Sequence, residues 1–384
     1  MKKIKIIYTG GTIGSERSQS TNYAPGKKLE KHLKEDIEEL RKRDKEEYAR
    51  EEPIPEFEFT SLNPLLDSSS IKPEHWNIIA QEIEPVLIGD ERGEFDGVLL
   101  LHGTDTMAYT ASALSFMLEG LQHSNKTVVI TGSQIPYYKA RTDARDQIVS
   151  SLILAAEGNI PEVVLYFAGR ALRGCRTTKI DAWGLGAFES PNYPELGKFG
   201  IDFFQDENIK LSRQENFFKK RDGFHSAQIQ YLNIEEKLKP RIGVLKLYPG
   251  ISANTLMAFS NQLDAIVIEA FGSGNGPISE DDDIEFLKAF RSISNDKILL
   301  VVTQCLKGVV SSDYNTGLVS AGAIDGKDMT TEAALTKLHY LYSKHFPFNE
   351  NKEKIIKQIK RDIAGELSPN KNIKKLSFQY YDKS

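Results

Sequence analysis

The chain has 384 residues, of which 40% are hydrophobic and 27% charged, which is a soluble globular composition and excludes collagen-like and disordered classes. Its 49 basic and 54 acidic residues leave a net charge of -5, without the basic excess of a nucleic-acid binder. No apolar run approaches the ~20 residues that span a bilayer, so no membrane partner is expected. At ~150 residues per domain, the length implies two to three domains. Met1-Lys2-Lys3 could open a signal peptide, but the apolar stretch behind it is broken by Lys5 and ends at Gly10-Gly11, short of the roughly 7–15 residues required. Two cysteines, Cys175 and Cys305, give no disulfide framework. Both observations favour the cytoplasm. The seven histidines are scattered and none pairs with cysteine at zinc-ligand spacing, so no metal is expected.

In chain order, strands are predicted at 4–8, 97–101, 127–130, 162–167, 242–247, 264–268 and 297–302. Several are rich in Val, Ile and Leu without alternation, as strands buried on both faces should be. Helical patterns occupy 107–118, 141–156, 252–260, 280–289 and 331–343. This alternation implies an α/β fold, an open parallel sheet with helices on both faces. Residues 205–240 are polar, and a new βα pattern begins at Arg241. The segment reads as a linker between a larger N-terminal domain over 1–204 and a smaller α/β domain over 241–384. The dense charge mixture of 27–52 carries Leu29, Leu33, Ile37 and Leu40 at helical spacing, which predicts a solvated amphipathic helix, with a partner-binding helix as the minority reading.

Most strand runs end in a polar, glycine-rich turn: Thr9-Gly10-Gly11-Thr12, His102-Gly103-Thr104-Asp105, Thr131-Gly132-Ser133-Gln134, Tyr248-Pro249-Gly250 and Phe271-Gly272-Ser273-Gly274-Asn275. Ligands of open α/β sheets bind outside the carboxyl ends of the strands, so chemistry is expected there. Thr12 follows a strand and two glycines, which places its hydroxyl on an exposed turn; an ordinary capping threonine competes with that reading. Gly10 to Gly14 lacks the spacing of a dinucleotide fingerprint. Asp105 and Thr106 could cap the helix that follows, or Asp105 could receive a substrate ammonium while Thr104 positions a water. Asp67-Ser68-Ser69-Ser70, taken alone, reads as a polar loop. Lys179, behind Arg176-Thr177-Thr178, reads as surface decoration unless it is buried beside Thr104, where it could act as a base. Two hydroxyls, a lysine, a carboxylate and small polar anchors form an inventory for acyl transfer without a metal.

At this point the residues reach a resemblance. Tyr8-Thr9-Gly10-Gly11-Thr12-Ile13-Gly14 and Leu101-His102-Gly103-Thr104-Asp105-Thr106-Met107-Ala108-Tyr109-Thr110 resemble the two signature stretches of the bacterial L-asparaginases. The similarity extends to Leu65-Leu66-Asp67-Ser68-Ser69, Thr131-Gly132-Ser133-Gln134-Ile135-Pro136, Arg176-Thr177-Thr178-Lys179, Leu247-Tyr248-Pro249-Gly250-Ile251-Ser252 and Leu335-Thr336-Lys337-Leu338-His339-Tyr340, in the pattern of the cytoplasmic type I branch. The resemblance implies a flavodoxin-like N-terminal domain, a smaller α/β C-terminal domain, and a homodimer or homotetramer with sites near subunit interfaces. It implies hydrolysis of L-asparagine to L-aspartate and ammonia without a cofactor. Thr12 resembles the nucleophile, and Thr104, Lys179 and Asp105 the second catalytic group. Asp105 also resembles the acceptor of the substrate α-ammonium, and Ser68 the holder of its α-carboxylate, with Asp67 and Ser69 in the same substrate-binding stretch. Tyr23 resembles a mobile tyrosine near the nucleophile. The charged segment behind Tyr23 is longer than the family pattern. Two other readings stay open: an asparaginase-like amidotransferase subunit supplying ammonia for glutaminyl-tRNA synthesis, and a non-catalytic amino-acid sensor.

Overall fold

The computed structural model describes residues 2–16, 24–25, 28–43, 54–88, 93–157, 160–201, 203–205, 226–278, 284–311 and 317–368. The chain divides into two compact units, one of Met1–Glu189 with Glu195–Ile229 and one of Ser190–Pro194 with Gln230–Ser384. Most of the expected linker, 206–225, lies outside the described residues.

The first unit is built on one sheet. Its strands are β1 (Lys3–Gly10), β2 (Glu56–Leu66), β3 (Gly97–Leu101), β4 (Thr127–Thr131), β5 (Val163–Phe167), β6 (Arg170–Arg173), β7 (Gly197–Phe199) and β8 (Phe203–Gln205). They lie in the order β8-β7-β6-β5-β4-β3-β1-β2. From β2 to β5 all neighbours are parallel, and the core of the sheet has the flavodoxin-like order 2-1-3-4-5. Every residue of β3, β4 and β5 is buried, as continuous Val/Ile/Leu runs covered on both faces require. The sheet is not parallel throughout, however: β5, β6, β7 and β8 pair antiparallel, each with the next, and extend it past the predicted strands.

The strand order reverses between β1 and β3, which pair from Ile4↔Gly97 to Tyr8↔Leu101. The turns behind these two strands therefore flank the topological switch point, the crevice where doubly wound sheets bind their ligands. The helices are α1 (Leu29–Arg43), α2 (Pro73–Leu87), α3 (Met107–Met117) and α4 (Ala144–Glu157). Helix α1 bears out the amphipathic reading: Leu29, Leu33 and Ile37 are buried on one stripe. It is also docked by its polar side, because Tyr137 donates its hydroxyl to Asp36 Oδ2 at 2.6 Å. Helix α4 starts three residues later than expected because Asp143 is used elsewhere; its carboxylate accepts the backbone N–H groups of Gln134 and Ile135 at 3.0 and 2.9 Å.

The second unit carries a four-stranded parallel sheet, β9 (Ile242–Lys246), β10 (Ala265–Ala270), β11 (Ile298–Thr303) and β12 (Ile324–Asp325), in that order. Its helices are α5 (Ala253–Ser260), α6 (Ile284–Asp296), α7 (Thr331–Lys344) and α8 (Lys352–Ile359). Ser252 and Thr330 cap α5 and α7, each side chain accepting the backbone N–H three residues on, as N-caps do. Phe286, Phe290 and Ile293 of α6 pack with Ile266, Ile268, Leu299 and Val301 of the sheet in one core. Helix α7 buries Lys337 completely. Its ammonium donates to the carbonyls of Ile359 and Arg361, both at 2.7 Å, and to Glu366 Oε1 at 2.5 Å. Glu366 also accepts the N–H groups of Ile363 and Ala364. A buried ion pair is tolerable only when its remaining donors and acceptors are satisfied in this way.

Candidate active site

The turn behind β1 is shaped by its glycines. Gly10 and Gly11 hold φ of 123° and 90°, which L side chains rarely adopt. They also lack room for one: a Cβ on Gly10 would sit 2.2 Å from the Leu66 carbonyl oxygen, and one on Gly11 would sit 2.3 Å from the Gly103 Cα. The Thr12 turn is thus laid directly against the end of β2 and the turn behind β3. Thr12 then opens a single 3-10 turn, Thr12–Gly14, half-buried at its start. The turn is tied down by Ser15, whose hydroxyl donates to the Gly11 carbonyl at 3.0 Å, and by the Tyr137 N–H, which donates to the Ile13 carbonyl at 2.9 Å.

Behind β3, the turn is braced from below by His102. One ring nitrogen, Nδ1, lies 2.7 Å from the Gly103 carbonyl, and the other, Nε2, 2.9 Å from the Thr110 hydroxyl. A carbonyl can only accept, so Nδ1 carries the proton and Nε2 accepts from Thr110. The Thr110 oxygen in turn accepts from Trp76 Nε1 at 3.2 Å. Complete burial pushes the imidazole down to about 4, against a smaller upward push from the Gly103 carbonyl. His102 is therefore a neutral strut that fixes the peptide preceding Thr104.

Thr104 is buried, and its hydroxyl meets Lys179, which comes from a strand segment 75 residues further on. Lys179 Nζ donates to Thr104 Oγ1 and to Asp105 Oδ1, both at 2.9 Å. The lysine side chain is 19% exposed and the aspartate 63%. The lysine is thus sheltered beside its hydroxyl partner, while the carboxylate opens outward to where an incoming ammonium could reach its other lone pairs. Of the two readings of Lys179, the geometry supports the one that places it against Thr104.

The third stretch closes on the same point. Ser68 is buried, its carbonyl accepts from the Thr106 hydroxyl at 2.7 Å, and a Cβ on Gly103 would lie 2.4 Å from its Oγ. Asp67 caps the short turn Ser68–Ser70; its Oδ1 accepts both the backbone N–H and the hydroxyl of Ser69 at 2.9 Å. Asp67 and Ser69 therefore hold each other, and Ser68 is the member turned toward the β1–β3 crevice. Tyr23 lies outside the described residues. Two participants escaped the residue-by-residue reading. His102 sat inside a signature stretch without a role. Gln134, whose Oε1 lies 3.4 Å from Thr104 Oγ1, belongs to the polar turn behind β4, and the position of β4 beside β3 is the signal that singles it out.

A doubly wound sheet with hydroxyl-bearing turns on both sides of its switch point, one hydroxyl paired with a lysine and a carboxylate, has the fold and the polar groups that an α/β hydrolytic enzyme uses. Comparison with known proteins narrows the class. Residues 3–215 match the family model "Asparaginase, N-terminal" and residues 241–355 match "Glutaminase/Asparaginase C-terminal domain". The chain is 39% identical over 375 residues to L-asparaginase 1 of Escherichia coli (strain K12), covering 96% of this chain and 99% of that protein. It is 37% identical over 387 residues to a 60 kDa lysophospholipase of Mus musculus, covering 96% of this chain and 63% of that one. The crystal structure of L-asparaginase I from Vibrio cholerae superposes with a TM-score of 0.77 at 36% identity, covering 96% of this chain and 99% of the other. The chain belongs to the asparaginase family of amidohydrolases.

Proposed function

We propose that the protein hydrolyses L-asparagine to L-aspartate and ammonia through an ester formed on Thr12. The single observation that carries the reading is the contact of Lys179 Nζ with both Thr104 and Asp105, beside the Gly11–Gly103 approach that brings in the Thr12 turn. In the first half, the Thr12 hydroxyl oxygen attacks the side-chain amide carbon. Its proton passes to the departing nitrogen, the C–N bond breaks, and ammonia leaves an aspartyl ester behind. Backbone N–H groups of the glycine turns offer preorganised donors for the transient oxyanion. In the second half, water positioned by Thr104 and Lys179 adds to the ester carbon, the C–O bond breaks, and the proton returns to Thr12. Dividing one difficult displacement into two easier ones is the gain of covalent catalysis. Asp105 receives the substrate α-ammonium, and Ser68, supported by Asp67 and Ser69, receives the α-carboxylate. Tyr23 is assigned a catalytic role on the family resemblance alone.

On the family resemblance we also propose a cytoplasmic homodimer or homotetramer; the first domain extends past the boundary at 204 read from the sequence, since Gln205 lies in β8 and the first compact unit runs to Ile229. Neither Cys175 nor Cys305 forms a disulfide, as suits a reducing compartment, and among the described residues no helix is long and apolar enough to cross a membrane. Light scattering tests the assembly. The activity is tested by ammonia release from asparagine, with glutamine and a lysophospholipid ester as comparison substrates, and by mass spectrometry of the acid-quenched enzyme. Wild type yields ammonia and an aspartyl adduct on the peptide carrying Thr12. Thr12→Ala yields neither while retaining the wild-type melting temperature and aspartate binding. Near-normal ammonia release by Thr12→Ala would remove the assignment, and aspartate binding by a wild type that releases no ammonia would favour the sensor reading.

A further inference from the structure

Thr104 has one proton to give, and its neighbours determine where it goes. Lys179 can only donate, so Thr104 accepts from it. The proton then falls to Gln134 Oε1, 3.4 Å away. The amide cannot be reversed, because its Nε2 donates to the Gly184 carbonyl at 3.0 Å; a flipped amide would set oxygen against oxygen there and nitrogen against the proton of Thr104. The Gln134 backbone is fixed as well, since the Asp143 carboxylate holds the N–H groups of residues 134 and 135. On its far side, Gly184 belongs to a tight turn in which Asp181 Oδ1 accepts the N–H groups of Trp183 and Gly184 at 2.7 and 2.9 Å. The Trp183 side chain at the tip is 94% exposed.

From this we infer that Gln134 is a positioning residue: it sets the rotation of the Thr104 hydroxyl so that the oxygen lone pairs face Lys179, and it ties that hydroxyl to the turn bearing Trp183. The inference rests on the reading of Thr104 and Lys179 as the group that positions water, and assigns Gln134 to the second half of the reaction only. Its bonds are made to Thr104 and Gly184, and none of those observed reaches the Thr12 turn, so ester formation is left alone and ester hydrolysis is slowed when Gln134 is lost.

The test replaces Gln134 by Met, which keeps the length and removes both bonds. Gln134→Asn, which keeps the amide but is one methylene too short to span both partners, serves as a second variant. Each should lower kcat by roughly 2- to 12-fold, the worth of about one neutral hydrogen bond, with an unchanged first-turnover burst of ammonia and more aspartyl adduct on Thr12 at steady state. The chain has two tryptophans, so labelling with 5-fluorotryptophan gives two fluorine resonances, assigned with Trp183→Phe. The Trp183 resonance should shift in both variants, while that of the buried Trp76 should not. Unchanged kcat, equal slowing of burst and steady state, or an unmoved Trp183 resonance would each overturn the inference. The absence of ammonia or adduct from the wild type would instead overturn the asparaginase reading, with the fluorine comparison still deciding whether Gln134 holds the turn.

Discussion

Lys179→Met separates chemistry from stability more sharply than any other single change in the site. The substitution keeps the length and most of the volume of the side chain and removes the ammonium. The structural cost is small. One bond is lost to Asp105, a carboxylate 63% exposed, and pairs with such an exposed partner contribute about 0–1 kcal/mol. The other is lost to the Thr104 hydroxyl, and Thr104 keeps Gln134 as a partner; a further cost of about 1 kcal/mol is reasonable for that bond. The total of about 1–2 kcal/mol lowers the melting temperature by roughly 2–8 °C, at the rate expected for a domain of some 150–250 residues. The kinetic cost is larger: whether Lys179 acts as a base or as a fixed positive charge, removal of such a positioned group costs about 10²–10⁴ in rate, or roughly 3–5 kcal/mol of barrier. The loss falls on ester hydrolysis, so the adduct on Thr12 persists. The assay is quenched-flow mass spectrometry of that adduct alongside ammonia release, with a thermal melt as control. A variant with wild-type turnover, or one whose activity falls only in proportion to its unfolded fraction, would refute the role.

Asp105→Ala should weaken asparagine binding at least tenfold, since a charge-assisted bond to the α-ammonium is worth roughly 1.5–3 kcal/mol; an analogue lacking the α-amino group should bind the wild type poorly, and equal binding of the two ligands would exclude Asp105 as the anchor. Lys337→Met should destabilise the second unit by about 3–5 kcal/mol by leaving Glu366 buried and unpaired, measured by denaturant titration. Burial pushes the Glu366 carboxyl up, but Lys337 and the surrounding N–H groups outweigh burial and hold it below the usual 4.5. Its stabilisation is therefore present above that value and lost as pH falls through the lower folded-state value, so the melting-temperature gap between wild type and Glu366→Gln should narrow in acid; a gap independent of pH would contradict this. His102, held down at about 4, should keep its neutral Nδ1–H tautomer in nitrogen-detected NMR from pH 8 to 5. The unfolded chain takes up that proton near the usual 6.5 and the folded chain does not, so this residue removes stability as pH falls from 6.5 toward 4; protonation near 6.5 in the folded state would refute the buried strut.

The buried strands were legible because covered parallel strands are apolar without interruption. Strand β2 was not, because its sequence Glu56–Leu66 alternates charge with aromatic residues and is half-exposed at the sheet edge. Helix α2 was obscured by Pro73 and by Pro85 within its last turn, and the short strands β6, β7 and β8 carry too few residues to show a period. In the site, local motifs pointed to Thr12, Thr104 and Asp105 because each follows a strand directly. Lys179 was ambiguous: nothing in Arg176-Thr177-Thr178-Lys179 states that the chain returns to Thr104, and only the assembled sheet brings a segment 75 residues away to 2.9 Å. Gln134 needed the same information, since its role depends on β4 lying beside β3.

The pairing of β1 with β3 carries a consequence for synthesis. A growing chain contains Thr12 almost from the start, but its partner turn arrives only after some ninety more residues and Lys179 only after 75 beyond that. At ribosomal speeds of about 5–20 residues per second, that interval lasts several seconds to tens of seconds. Through it the nascent polypeptide holds the first hydroxyl without the ammonium that completes the second. On the proposed mechanism, catalytic competence is withheld until the first unit has nearly emerged, and a ribosome stalled before residue 179 is expected to display an inert fragment.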